Sequence, residues 1–302
     1  MAIGDVFRAE SVSEDLWYVD TGMYEVAEYG SVYLLDGDRP ALVDTGLGTN
    51  DGRVLGLIEQ AGLTPADIEV IAVTHVHLDH AGGAGVLVEE CANATVAVHE
   101  RGARHLVDPA QLWAGTKQAV GDQIEYYTEP TPVPEERIVE LTDGDEIDLG
   151  DQRLVARHTP GHAPHQVVFE APALDSVFTA DAAGIYTPST DEVHVTSPPP
   201  NFDLEQGLAD VELLKALDTE WVLYAHFGPA RTAERLDEYA TVVEEWVAAV
   251  ERERERHADD EAVIAHFVDS VETPDIWGEH KARAEVSMNV RGVLTYLDQR
   301  EG

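Results

Sequence analysis

Residues 75–80, His-Val-His-Leu-Asp-His, put three imidazoles and a carboxylate within six positions, and little else in the chain constrains its folding as strongly. An apolar run, 70–73, leads into the segment, and Gly82, Gly83 and Gly85 follow it. In extended backbone, positions 75, 77 and 79 project to the same side. His80 then turns off at what reads as a helix start. Imidazole nitrogen and carboxylate oxygen suit Zn²⁺, and also iron or manganese. Without a metal, His75, His77, Asp79 and His80 would each need another partner. Four donors on so short a loop cannot easily wrap one ion, but they can serve two ions about 3.5–4 Å apart.

Three later segments repeat the arrangement of an apolar strand followed by a ligand-type residue. LVARHTPGH gives His162 after a Pro160-Gly161 turn, SVFTAD gives Asp181, and EWVLYAH gives His226. Strands packed in one sandwich would bring these ends to a common edge. Seven donors are what two sites need once a carboxylate and a water bridge them.

Between these points the short apolar-rich runs at 16–20, 32–36, 41–44, 69–74 and 95–99 predict strands. Further strands are expected at 137–140, 146–149, 153–158, 166–170 and 177–180, with 221–225 the last clear one. Helices are expected at 51–61, 86–90, 101–123 and 204–217. From 233 onward the 3–4 spacing of Tyr239, Val243, Trp246, Val247 and Val250 predicts helix, and amphipathic segments continue over 262–298. Two proline-rich stretches, 129–134 and 197–200, are rigid breaks. The expected division is a sandwich domain over 1–230 and a helical extension over 231–302.

Charge sets the environment. With 59 acidic residues against 19 basic ones, the formal net charge is −40. Such a surface repels itself until molar salt shortens the Debye length to about 3 Å. The expectation is a salt-adapted, halophilic source, a small-molecule substrate and no nucleic-acid partner, since phosphates need a basic face. No apolar run reaches the length of a membrane span, so no membrane partner is expected. The first residues lack a basic then apolar leader, so the expected location is cytoplasmic. A homodimer is left open. The single cysteine, Cys91, sits among apolar residues and reads as a buried small hydrophobe.

The motif HxHxDH, then Thr-Pro-Gly-His, then an aspartate and a histidine each ending a strand, resembles the metallo-β-lactamase superfamily over about residues 15–230. The resemblance implies an α/β (α+β) class fold, a four-layer αββα sandwich. His75, His77 and His162 would hold one metal, most simply Zn²⁺. Asp79, His80 and His226 would hold a second, and Asp181 would bridge the two. Asp44, in a DTG turn after a strand, matches a position that orients the ligand loop. Asp181 stands where many β-lactamases carry cysteine or serine, which argues against antibiotic hydrolysis. The remaining likeness is to glyoxalase II-like hydrolases, including lactonases. That implies a metal-bridging hydroxide attacking the carbonyl of an ester or thioester, with Asp79 and Asp181 as the catalytic carboxylates. The alternative is a mononuclear iron persulfide dioxygenase, which uses two histidines and one aspartate.

Other residues carry weaker expectations. Lys281, Arg283 and Arg291 are candidates for binding a thiol carrier. His158, His165 and His194 are expected to be hydrogen-bonded or at the surface, with substrate contact as the alternative. Tyr186 is expected to be packed rather than to donate to substrate. His99, His105, His257, His266 and His280 are expected to be surface or structural.

Overall fold

The computed structural model describes residues 1–270 and 276–301. Strands β1 (Val6–Arg8), β2 (Leu16–Asp20), β3 (Ser31–Leu35), β4 (Ala41–Val43), β5 (Val70–Ala72), β6 (Thr95–His99) and β7 (Ile138–Leu141) form one sheet in sequence order. Pairing is antiparallel from β1 to β4 and parallel from β4 to β7. The change follows the connections, because parallel neighbours need a crossover. Helix α1 (Asp51–Gln60) carries the chain from β4 to β5. Helices α2 (Leu78–Ala81) and α3 (Ala84–Glu90) carry it from β5 to β6. Helices α4 (Glu100–Val107) and α5 (Ala110–Val120) carry it from β6 toward β7.

The second half supplies β8 (Glu146–Asp148), β9 (Arg153–His158), β10 (Val167–Ala171), β11 (Ser176–Ala180), the small hairpin β12 (Ile185–Thr187) and β13 (Glu192–His194), helix α6 (Leu204–Ala216), and β14 (Trp221–Tyr224) and β15 (Gly228–Arg231). The second sheet runs β15-β14-β11-β10-β9-β8, with β11 and β14 parallel across the α6 crossover. Helices α7 (Thr232–Arg254), α8 (Asp260–Asp269) and α9 (Gly278–Glu301) complete the described chain.

Strand alternation sorts the core into layers. Tyr33 and Leu35 of β3 face Phe169, Phe178 and Leu223 of the other sheet, whereas Val32 and Leu34 turn outward onto Val54, Leu57 and Ile58 of α1. In the second sheet Val168 and Val222 turn outward instead, onto Val211, Val243 and Val293 of α6, α7 and α9. The result is the four-layer αββα arrangement of mixed α/β class, with α7–α9 packed on the second sheet's outer face. Each such fully buried side chain contributes about 1.5–3 kcal/mol of burial free energy.

Three differences from the sequence reading have local causes. The helix expected over 101–123 breaks at Asp108 and Pro109, because the pyrrolidine ring disfavours helical backbone at the residue before it. The strand over 221–225 is not the last. Gly228–Arg231 adds an edge strand, a position where a sheet accepts a residue such as Pro229 that has no N–H to give. The β12–β13 hairpin and β1, each three-residue strands, gave too short a pattern to register. Residues 271–275, inside the expected amphipathic stretch over 262–298, lie outside the described residues, as does 302 in the expected extension.

Candidate metal centre

Every sequence-predicted ligand leaves a strand at the same edge of the sandwich. Thr74 to His80 follow β5, His162 sits in the β9–β10 turn, Asp181 follows β11, and His226 follows β14. Two glycines permit the convergence. A Cβ on Gly82 would lie 2.5 Å from Leu47 O, where the ligand loop meets the turn after β4, and one on Gly161 would lie 2.3 Å from Gly207 N of α6. The ligand loop is also tied to the second sheet, since Val167 N–H donates to Thr74 O at 2.9 Å.

The donor atoms form two sets. His77 Nδ1 lies 3.1 Å from His75 Nε2 and 2.9 Å from His162 Nε2, and His162 Nε2 lies 3.2 Å from Asp181 Oδ2. On the other side His80 Nε2 lies 3.2 Å from His226 Nε2, 3.1 Å from Asp181 Oδ1 and 3.8 Å from Asp79 Oδ2. Asp181 thus turns one oxygen to each set. All of these residues are buried except Asp79 and His77, which are partly open to the pocket.

The residues fit metal ions on grounds internal to the site. Ligands on a tetrahedral ion with ~2.0–2.1 Å bonds sit about 3.3 Å apart, close to the spacings found. Asp181 Oδ1 is buried without a hydrogen-bond partner, which is costly unless a further group satisfies it. The outward nitrogens of three histidines are already committed. His80 Nδ1–H donates to Asp44 Oδ2 at 2.9 Å, His226 Nδ1–H to Tyr29 O at 2.7 Å, and His75 Nδ1–H to Thr74 Oγ1 at 3.2 Å. Each partner fixes the tautomer that leaves the Nε2 lone pair facing inward.

Electrostatics point the same way. Burial drives His75 well below the ordinary imidazole range and His162 down to about 3. Burial opposes ionisation of Asp181, yet the surrounding His162, His80 and His226 hold it well below the usual carboxylate range. Neutral imidazoles and an ionised carboxylate are the protonation states that metals bind. His80 differs: burial opposes its charge, but Asp181, Asp79 and Asp44 outweigh that and raise it well above its ordinary value. A positive charge is favoured at that point among the carboxylates, whether proton or cation.

Asp44 occupies the left-handed region at φ 62°, which aspartate tolerates better than most residues. Its Oδ1 accepts from Thr74 N–H at 2.8 Å, and Thr74 Oγ1–H donates to the same carboxylate at 2.9 Å. One buried carboxylate therefore fixes the start of the ligand loop and the ring of His80 together.

Above the donors lies a pocket of about 70 Å³ whose walls include Tyr24, Tyr29, Tyr127, Ile185, Pro198 and Met288. Tyr24 and Tyr127 join through their hydroxyls, and Tyr29 OH donates to Glu285 at 2.8 Å. No local motif marks these tyrosines, and the sequence reading did not find them. Lys281 is buried, donates to Glu285 Oε2 at 2.6 Å and lies 3.8 Å over the Tyr24 ring. That engagement corrects the expectation that Lys281 is free to grip a carrier. Tyr186 hydrogen-bonds Asp191 and packs on Tyr224, away from the pocket. His165 is buried beside His75, His158 stacks on His99, and His194 packs on Trp277. Cys91 is buried, as expected.

Residues 26–226 match the family model described as the metallo-beta-lactamase superfamily, so the chain belongs to that superfamily, whose members are generally hydrolytic metalloenzymes. It is 25% identical over 215 residues to the metallo-beta-lactamase fold-containing protein ST1585 of Sulfurisphaera tokodaii, covering 70% of this chain and 77% of that one. It is 27% identical over 190 residues to the acyl-coenzyme A thioesterase MBLAC2 of Gallus gallus, covering 58% of this chain and 65% of the relative. An N-acyl homoserine lactonase of a Bacillus species is 28% identical over 171 residues, covering 55% of this chain and 58% of its own. The chain thus spans less than two thirds of the thioesterase and of the lactonase. The solved structure of ST1585 superposes with a TM-score of 0.68 at 22% identity, over 91% of this chain and 94% of that one, a likeness of fold. Among the described residues no helix is long and apolar enough to cross a membrane.

Proposed function

We propose that this chain is a hydrolase of small carbonyl esters or thioesters that works with two divalent metal ions, most simply Zn²⁺. The observation that carries this reading is the shared carboxylate of Asp181, with Oδ1 toward His80 and His226 and Oδ2 toward His162. His75, His77 and His162 would hold one ion; Asp79, His80 and His226 would hold the other. Bound there, the ions would supply Lewis-acid activation of a water and of the substrate carbonyl.

The chain's own groups do the rest. Asp79, the ligand carboxylate most open to the pocket, accepts a hydrogen bond from the attacking water and orients it toward the carbonyl carbon. The new C–O bond forms as the C–S or C–O bond to the leaving group breaks, and the water's proton passes to the departing thiolate or alkoxide. Tyr127, held neutral by burial and by the nearby Asp79 charge, stays a hydrogen-bond donor for the substrate. The acyl portion fits the small aromatic pocket. The leaving group extends into an adjoining groove of about 570 Å³ between α5 and α9, reached past Ala119, Val120 and Met288. The thioesterase and lactonase relatives support an acyl substrate, and the acidic composition supports a small molecule over a nucleic acid.

The test is hydrolysis of thioesters, lactones and phosphodiesters by protein of measured metal content in molar KCl, beside H77A and D79A. Thioester or lactone turnover that requires zinc at both sets of pocket ligands, abolished in both variants, is expected. Full activity in either variant refutes the assignment, and one iron per chain with sulfur oxidation would establish the dioxygenase alternative instead.

A further inference from the structure

A third group of ligand-type side chains lies outside the catalytic pocket, at the end of α7. Glu253 stands in the last turn of α7, His257 follows just past it, and His266 comes from α8. One ligand atom from each lies within 4.8 Å of the others. Glu253 Oε1 is held by Arg256 Nη1 at 2.7 Å, which leaves Oε2 turned toward both rings, 3.6 Å from His257 Nε2 and 3.9 Å from His266 Nε2. Both separations exceed a hydrogen bond. They are within a small side-chain rotation of the spacing of donors that share an ion. The two imidazoles are tilted faces with centroids 5.4 Å apart, and Glu253 is mostly covered while the histidines remain partly exposed.

We propose that Glu253, His257 and His266 form a separate site for one divalent transition-metal ion, completed by water. Two imidazoles to one carboxylate select borderline ions such as Zn²⁺, Ni²⁺ or Cu²⁺ over Mg²⁺ and Ca²⁺, whose ligands are oxygen. Arg256 fixes the carboxylate from behind, as outer partners commonly do for metal ligands. The ion would tie the last turn of α8 to the end of α7. Helix α8 also supplies Ile264 and Val268 to the groove beside the catalytic pocket, so the tie would set one wall of that groove. This inference is independent of the proposed catalytic centre, whose ligands it does not use.

The test compares the wild-type chain with H257A/H266A, and with H280A as a control for adventitious imidazole binding. Each is equilibrated with Zn²⁺ alone at fixed free concentration in excess Mg²⁺, which occupies the acidic surface. Bound zinc per chain and the zinc-dependent rise in Tm are then measured. The wild type and H280A are expected to hold one more zinc than H257A/H266A, and the double variant is expected to lose part of the rise in Tm. Its circular dichroism without added zinc should match the wild type, since both histidines are partly exposed. Equal zinc in all three chains, or equal loss in H280A, overturns the proposal. The catalytic reading stands or falls separately, on H77A and D79A.

Discussion

Replacing Asp44 by asparagine tests whether the buried carboxylate sets the ligand state of His80. Asparagine tolerates the left-handed backbone that Asp44 adopts, so the exchange changes charge and donor pattern with little added strain. Its single amide oxygen can still accept from Thr74 N–H. The amide NH₂ then faces His80 Nδ1–H, donor against donor, across what was a 2.9 Å bond. Relief comes from moving the imidazole proton to Nε2, which removes the inward lone pair. Hydrogen bonds to a charged acceptor are worth roughly 1.5–3 kcal/mol each, and loss of a metal ligand's outer partner typically weakens the metal 10–100-fold. D44N is therefore expected to weaken the ion proposed at Asp79, His80 and His226 by 10–100-fold, or about 1.4–2.7 kcal/mol. The ion proposed at His75, His77 and His162 should change less. Competition with a chromophoric chelator, read as two separate zinc affinities, measures this. D44A, which also loses the acceptor for Thr74 and adds strain, should be worse on both counts. Two unchanged affinities in D44N would refute the argument that Asp44 fixes His80.

Four further outcomes follow from other parts of the structure. E285A strands the buried Lys281 ammonium and should cost about 3–5 kcal/mol in denaturant unfolding, whereas K281M/E285L should recover much of that loss; equal losses would show that the pair is not coupled. Asp210, which accepts Gly161 N–H beside His162, is pushed up to about 6 chiefly by burial, so the folded chain holds its proton more tightly than the unfolded one. Stability from this group is therefore present at low pH and lost as pH rises from about 4 through about 6, by roughly 1–2 kcal/mol after screening, and D210N should lack that slope in pH-dependent melting. Y127F should lower kcat/KM up to about ten-fold with an unchanged fold, the value of one hydrogen bond to substrate, measured on the best substrate of the hydrolysis screen. Tm should rise from low salt to molar KCl as the −40 charge is screened; a steady fall would sink the salt-adaptation reading.

How far the fold could be read depended on segment length and period. Strands such as β3 and β6, five residues each with clear patterning, were legible to within a residue. Strand β15, Gly-Pro-Ala-Arg, carries no apolar period at all and exists because β14 offers it an edge. The seven side chains that converge at this edge were legible because they are rare polar residues that follow apolar runs, a local signal. The pocket wall was not. Tyr24, Tyr127 and Glu285 come together only through tertiary contacts between segments more than a hundred residues apart, and nothing in the local sequence of any of them distinguishes a pocket tyrosine from a core one.

Helix α9 reaches back across the molecule: Lys281 bonds Gln123, Glu285 bonds Tyr29, and the Asn289 side chain accepts Ser197 N–H at 2.7 Å. The last described helix is therefore a cover laid over the pocket above the converging histidines and carboxylates. Changes along its inner face can reshape the chamber's roof while leaving the metal-binding floor intact. A family with this layout could acquire new substrates by redrafting this helix, with the costly convergence of the histidine and aspartate cluster left untouched.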